Sequence, residues 1–240
     1  MGSILPAKKA PALYAIGALL ICAVATLYAH RVENALSKED MRYVPLYLEG
    51  IEPLPEKPAY AEEVDFIVSV QRSVLKVAAK NQGLPFDQKR EPMDVYISKT
   101  GLCYDRSRAI EKILMYAGFR TRHVSVYAKK AAKTSVEALA TPDIESHSIT
   151  EVLTRNGWLV VDSNTPWIAT DKDRNPVSIK DLQAAASKSF PVQLSMQPAP
   201  KIFRGPFIFI YGLYSRHGRF YPPYNFIPDI HYGEFIQNLW

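Results

Sequence analysis

Cysteine is nearly missing from this chain, whose 240 residues hold two, Cys22 and Cys103. Cys22 lies inside an uncharged apolar run, so Cys103 stands alone in everything that follows. No disulfide can staple that remainder, and a fold of this length has to be held by its own core. A dense basic stripe is lacking too: 29 Lys and Arg against 24 Asp and Glu leave a formal charge of +5 with the signs interspersed. That balance lacks the electrostatic footprint of a nucleic-acid binder. Cys, His and Asp residues do not fall at the close spacings of a structural zinc site. There is no recognisable acidic calcium loop, and the short patch Asp171, Asp173 and Asn175 reads as a solvated turn. No metal or cofactor is expected. Internal repeats and low-complexity tracts are absent.

What the chain does have, near its start, is a long apolar run. Residues 11–29, PALYAIGALLICAVATLYA, carry no charge and follow Lys8 and Lys9. As a helix this run would be roughly 29 Å long, enough to cross a hydrocarbon layer. The expectation is a transmembrane helix or signal-anchor, with residues 1–10 cytoplasmic and the rest periplasmic or extracellular. The alternative is secretion after signal cleavage, for which Ala23, Ala25 and Ala29 supply small residues. A solitary thiol in an oxidising space is a liability, which points to a chemical purpose for Cys103.

Residues 30–62 combine mixed charge with Pro45, Pro53, Pro55 and Pro58 and read as a linker. A domain is expected over residues 63–190. Its first helix is marked by Phe66, Ile67, Val70, Val74 and Val77 at helical spacing, and a second runs from Cys103 to a stop at Gly118. On that second helix Asp105, Arg106 and Arg108 do not all fit a buried face. Alternation predicts strands over Thr121–Tyr127, Ser146–Thr154 and Gly157–Val161, the last two joined through an Asn156-Gly157 turn. A short helix follows at Ile179–Ser187. Residues 191–240 are rich in Pro, Tyr and Phe and read as an extension packed on the domain, with one strand in PFIFIYGLY.

The chemistry-bearing residues sit at the edges of these elements. At a helix N-terminus, unpaired N–H groups and the helix dipole stabilise a thiolate and can face a developing oxyanion, which suits Cys103. His147 opens a strand and Asp162 ends the neighbouring one, so hairpin pairing can bring the carboxylate to the imidazole. In this arrangement Cys103 would be the nucleophile, His147 the base and later acid, and Asp162 the group that orients the ring. His123, on an alternating strand, reads as structural. His217 and His231 fall in the irregular tail.

Gly101-Leu-Cys103-Tyr-Asp-Arg-Ser-Arg-Ala-Ile, followed by Tyr116-Ala-Gly-Phe-Arg-Thr-Arg122, resembles the transglutaminase-like superfamily. So do His147-Ser-Ile-Thr-Glu151-Val and Gly157-Trp158-Leu-Val-Val-Asp162, and the resemblance covers Val64 to Trp167. It implies an α+β fold with a papain-like transglutaminase core, a cysteine-bearing helix packed on an antiparallel β-sheet, here preceded by one transmembrane helix in a membrane-anchored bacterial-type member. It also implies attack on an amide and a thioester passed to water or an amine. The family's usual aromatic after the histidine is replaced by Ser148. Tyr104, Ser148, Trp158 and Trp167 are the expected substrate contacts, with Tyr96 and Gln82 as side chains available for oxyanion support.

Two functions follow from this reading. The first is a membrane-tethered cysteine amidohydrolase or acyltransferase, a protease, amidase or transamidase acting on peptide or protein amides. The second is a noncatalytic or weakly catalytic protein of the same fold that binds a peptide, glycan or partner in an envelope export or polysaccharide assembly system.

Overall fold

The computed structural model describes residues 10–85, 89–129, 137, 141, 144–187, 199–214 and 228–239, with the side chains of 10–13 outside that description. The apolar run is helical, α1, Ala10–Ala29. Next comes α2, Lys38–Tyr47, started by a capping box in which Ser37 Oγ accepts from Asp40 N–H at 3.0 Å and Asp40 Oδ2 accepts from Ser37 N–H at 2.8 Å. The helices α3, Tyr60–Val77, α4, Pro92–Ser98, and α5, Cys103–Tyr116, follow in order. Helix α5 stops because Gly118 takes φ +92°, a left-handed conformation that lets Phe119 N–H reach back to Leu114 O at 3.0 Å.

Four strands form an antiparallel sheet in the order β3-β2-β1-β4: β1, Arg120–Ala128; β2, Ser146–Thr154; β3, Gly157–Val161; and β4, Phe207–Tyr211. One face packs on α3 and α5, where Ile67, Val70 and Val74 meet Ala109, Ile110, Ile113, Val152, Leu159 and Val161. Each such side chain, fully withdrawn from water, stabilises the fold by roughly 1.5–3 kcal/mol. The other face carries a second core around Trp167, Phe203 and Phe207, covered by α6, Ile179–Ser187, and a 3-10 turn at Lys201–Arg204. Thr150 settles which way β2 faces, since its Oγ1 donates to Ser107 O on α5 at 2.9 Å. By the two-residue period Ser148 and Val152 share that side, and His147, Ile149 and Glu151 point to the other.

Several expectations change here. Among the described residues no helix is long and apolar enough to cross a membrane. The transmembrane or signal-anchor helix, the membrane as a partner, the single-pass placement and the membrane-anchored family variant are therefore corrected. The stretch 30–62 is not a free tether, because α2 packs on α4 and α5 and buries Val44 and Tyr47 in the core. Nor does α5 keep a solvated flank: Asp105, Arg106, Arg108, Glu111 and Lys112 are all buried and all partnered.

In the C-terminal extension, the strand in PFIFIYGLY is β4, and it joins the domain's own sheet beside β1. The expected single strand breaks at Gly212, φ +68°, where a Cβ would meet His231 O at 2.6 Å and Phe235 N at 2.7 Å. Beyond it β5, Leu213–Tyr214, pairs with β6, Asp229–Ile230, and α7 occupies Tyr232–Phe235. His217, most of residues 130–143 and residues 215–227 lie outside the described residues.

Candidate active site

Antiparallel pairing puts the start of β2 beside the end of β3, with Thr150 opposite Val161. His147 and Asp162 therefore meet at one end of the sheet, and His147 Nε2 lies 2.5 Å from Asp162 Oδ1. Cys103 lies near enough for its side chain to act on the same imidazole. Cys103 is the first residue of α5 and is half-buried, while His147 and Asp162 are buried. Of the three, His147 and Asp162 are in direct hydrogen-bond contact.

Electrostatics at this end of the sheet favour an ion pair. Burial alone would pull the His147 pKa down, but hydrogen bonds to Asp162 and Cys103, with the charge of both, raise it to about 10. Burial pushes the Asp162 carboxyl up, yet its bonds to His147 and Thr165 prevail and hold it below the ordinary range. Its second oxygen is saturated locally, accepting from Asn164 N at 3.0 Å, Thr165 N at 2.7 Å and Thr165 Oγ1 at 2.8 Å. That Asx-type turn fixes the carboxylate toward the ring.

The supporting residues were not marked by the motifs. From α3, Gln71 sends Nε2 to the carbonyls of Asp162 at 2.7 Å, Thr165 at 3.1 Å and Trp167 at 2.8 Å. Its signal in sequence is a polar residue inside the apolar stripe Ile67, Val70, Val74. Arg106 reaches Asn164 Oδ1 at 2.8 Å, in the same turn. Phe203 stands edge-on to His147 with ring centroids 6.3 Å apart and stacks on Trp167 at 5.5 Å. Nothing local in the sequence ties Phe203 to a residue 56 positions earlier.

The expected substrate contacts fare differently. Tyr104 is buried beneath Arg90, whose guanidinium lies 5.0 Å from its ring centre, and lines a small cavity with Arg108, His123 and Tyr214. Ser148 is fully buried on the α5 side, its Oγ without a hydrogen-bond partner. Trp158 pairs with Leu153 at the far end of β3 and stacks under Arg122 at 3.9 Å. It lies about 13 Å along the strand from Asp162. Trp167 is buried, and its carbonyl accepts from Asp162 N at 3.0 Å, so it frames the site from below. Of the two oxyanion expectations, Tyr96 is engaged with Tyr47 at 5.3 Å and with Lys99, and no side-chain contact places Gln82 at the sulfur. Among the described residues no group of His, Cys, Asp and Glu could hold a metal ion.

With that geometry in view, a comparison with protein families is decisive for the core. Residues 55–163 match the model of the transglutaminase-like superfamily. The match spans α3 to the end of β3 and takes in Cys103, His147 and Asp162. No curated protein matches the chain. The resemblance drawn from the three motifs thus stands for this region as a transglutaminase-like fold, without the membrane-anchored form attached to it.

Proposed function

We propose that the transglutaminase-like domain carries out cysteine-dependent acyl chemistry on peptide or protein amides. The observation that supports it is the His147–Asp162 contact at the sheet end, with both groups buried and the partly open Cys103 at the start of α5 acting on the same imidazole. The Cys103 proton passes to His147, and the thiolate attacks the amide carbonyl. The C–N bond then breaks as the imidazolium returns the proton to the departing amine, leaving a thioester on Cys103. Water or a second amine, deprotonated by the same imidazole, attacks the thioester and restores the thiol. Helix α5 directs its N-terminal dipole at the centre where negative charge develops. The working unit extends past residue 190, because β4 and Phe203 belong to the sheet and to the wall of the site.

A second reading is favoured by Phe203. An aromatic side chain from the C-terminal extension seated on the imidazole suits a protein that uses the same fold to bind a peptide, glycan or partner and turns over weakly or not at all. Superfamilies of this kind hold inactive members as well as active ones.

A peptide chloroacetamide separates the two readings, with Cys22→Ser as background so that alkylation reports Cys103 alone. Active chemistry predicts labelling of the Cys103 peptide at least about 100-fold faster than in His147→Ala. Equal rates in the two proteins would defeat the catalytic reading and leave binding.

A further inference from the structure

Strand β4 closes the sheet, whose order β3-β2-β1-β4 gives it a neighbouring strand on one side only. Gly212 N donates to His123 O at 3.0 Å and Lys129 N to Pro206 O at 2.8 Å. These two bonds flank the β1–β4 ladder and set its phase, so Ile208 and Ile210 turn their backbone groups to β1 while Phe207, Phe209 and Tyr211 turn theirs outward. Side-chain amides take both ends of that outer edge. Asn238 Oδ1 accepts from Tyr211 N at 2.9 Å and Asn238 Nδ2 donates to Tyr211 O at 3.1 Å, the two bonds that a neighbouring strand would return. At the other end Gln183 Nε2 donates to Phe207 O at 3.0 Å. Between them the N–H and C=O of Phe209 have no hydrogen-bond partner among the described residues. A cavity of about 360 Å³ runs along this edge, lined by β4, by Lys180 and Gln183 of α6, and by Phe235, Gln237 and Asn238 at the C-terminal end. Of the described residues that line it, only Lys180 carries a charge.

Sheet edges are commonly blunted against unwanted pairing, and Asn238 and Gln183 taken alone fit that role. A guard would cover the middle of the strand, however, and here the middle is left open inside a recess. An unpaired donor and acceptor on one extended residue are matched by one residue of another extended chain, which returns both bonds. The recess decides what kind of chain that is. The β4 edge of a second copy would bring its own α6 and C-terminal turn into the same space, whereas a single extended segment fits between the walls. Those walls are apolar or neutral: Phe209 and Ile210 are half-buried, one on each face of the sheet, and Phe235 is 39% exposed. The volume lies within the range of ligand sites, about 300–1,000 Å³. Position agrees as well, because Val126 pairs with His147 on one side and with Phe209 on the other, which places Phe209 in the row of the imidazole, two strands and roughly 10 Å away. We propose that the outer edge of β4 is a docking site for an extended peptide segment with apolar or neutral side chains, which pairs its backbone with Phe209 and lies beside the cysteine centre. Binding at this edge is separate from the cysteine chemistry and needs no turnover.

The test titrates a fluorescein-labelled hexapeptide of alternating threonine and valine, blocked at both ends, with the full-length Cys103→Ser protein and follows anisotropy. Saturable binding is expected, weakened at least about 10-fold when the central peptide nitrogens are methylated and the side chains kept, because methylation removes the donor that faces Phe209 O. Phe209→Pro removes the outward N–H but no bond to β1, a substitution that an edge strand tolerates, and is expected to bind the plain peptide more weakly than Phe209→Val, which keeps that N–H. Absence of saturable binding, equal binding of the methylated peptide, or equal affinity of the proline and valine variants overturns the proposal. Should Phe209→Pro not fold, Asn238→Ala takes its place. It uncovers the Tyr211 pair, so the plain peptide should bind several-fold more tightly and the methylated one should not, while unchanged or weaker binding of the plain peptide overturns the proposal. Sedimentation of the free protein as a concentration-dependent dimer that Phe209→Pro abolishes assigns the edge to a second copy and overturns it too. Failure of the cysteine chemistry is read separately, as equal labelling of Cys103 in wild type and His147→Ala, and leaves the peptide titration unaffected.

Discussion

Helix α5 carries charged groups out of water in two places, and the partners they meet differ in kind. In its middle turns Arg108 is held by Glu91, Glu111, Asn34 and the Glu33 carbonyl. Lys112 is held by Asp40 and the Ala35 carbonyl. Glu111 accepts from Tyr214 Oη at 2.8 Å, and Asn34 Nδ2 bridges it to Glu234. Apart from Glu91 and Glu111, these partners come from residues 33–40 and 214–234, which the polar contacts draw onto one helix. The first turn instead takes its partners from the body of the domain, at residues 78–81 and 162–164, and leaves one atom, the sulfur, half-open. A closed network gives its charges no further work than holding segments together, whereas the first turn keeps one charge site accessible to an electrophile.

The contrast breaks most sharply with the sulfur. Cys103→Ser is expected to abolish thioester formation outright while keeping a cooperative melt close to wild type, and His147→Ala to reduce the rate about 10²–10⁴-fold. Mass spectrometry of the trapped intermediate and differential scanning calorimetry check the two halves of that statement. In the middle turns the pattern should invert. Arg108→Met strands Glu111 and Glu91, and breaking such a buried pair from one side costs about 3–5 kcal/mol, seen as a fall in melting temperature of roughly 10 °C. The pH profile of Cys103 alkylation should not move. A shifted profile in Arg108→Met would show that the clusters are coupled through α5.

The same division can be read in pH. Burial first, then the nearby Glu234 carboxylate, raise the Glu111 pKa to about 7 from 4.5, against the pull of Arg108. The folded state therefore holds more protons than the unfolded one between these values. The stability owed to this group is fully present below about pH 4.5 and is lost as pH rises through about 7. His147, lifted from 6.5 to about 10, contributes stability that is complete below about pH 6.5 and lost toward pH 10. Glu111→Gln should flatten the lower window of a stability-versus-pH curve and His147→Ala the upper one, both measured by urea unfolding. The smallest effect belongs to Ser148→Ala. Its Oγ is buried and unpartnered, so removing it should leave stability within about 1 kcal/mol or raise it slightly, and leave the alkylation rate unchanged.

Much of the fold was legible in local pattern. The periodic apolar residues of α3 and α5 and the alternation of β1, β2 and β3 report which side of each element faces the core. The Asn156-Gly157 turn sets β2 against β3. Since His147 and Asp162 stand at the matched ends of that hairpin, their meeting was readable as well, and so was the placement of Cys103 at a helix start. Trp158 misled because proximity in sequence to Asp162 was taken for proximity in space, while an extended strand separates residues by about 3.3 Å each. Tyr104 misled for a related reason, since its position beside Cys103 on a helix turns it by about 100° and into a different cavity.

The chain's own order of residues determined the helices and strands that bear the thiol, the imidazole and the carboxylate, because hydrophobic period and turn chemistry act over a few positions. Only tertiary structure decided that Arg106 and Gln71 brace the Asp162 turn, that Phe203 walls the imidazole, that β4 completes the sheet and that the polar flank of α5 is buried. Each of those outcomes depends on a partner far away in the chain, and a charged side chain on a helix looks the same in sequence whether its complement is water or a carboxylate delivered from the other end of the protein.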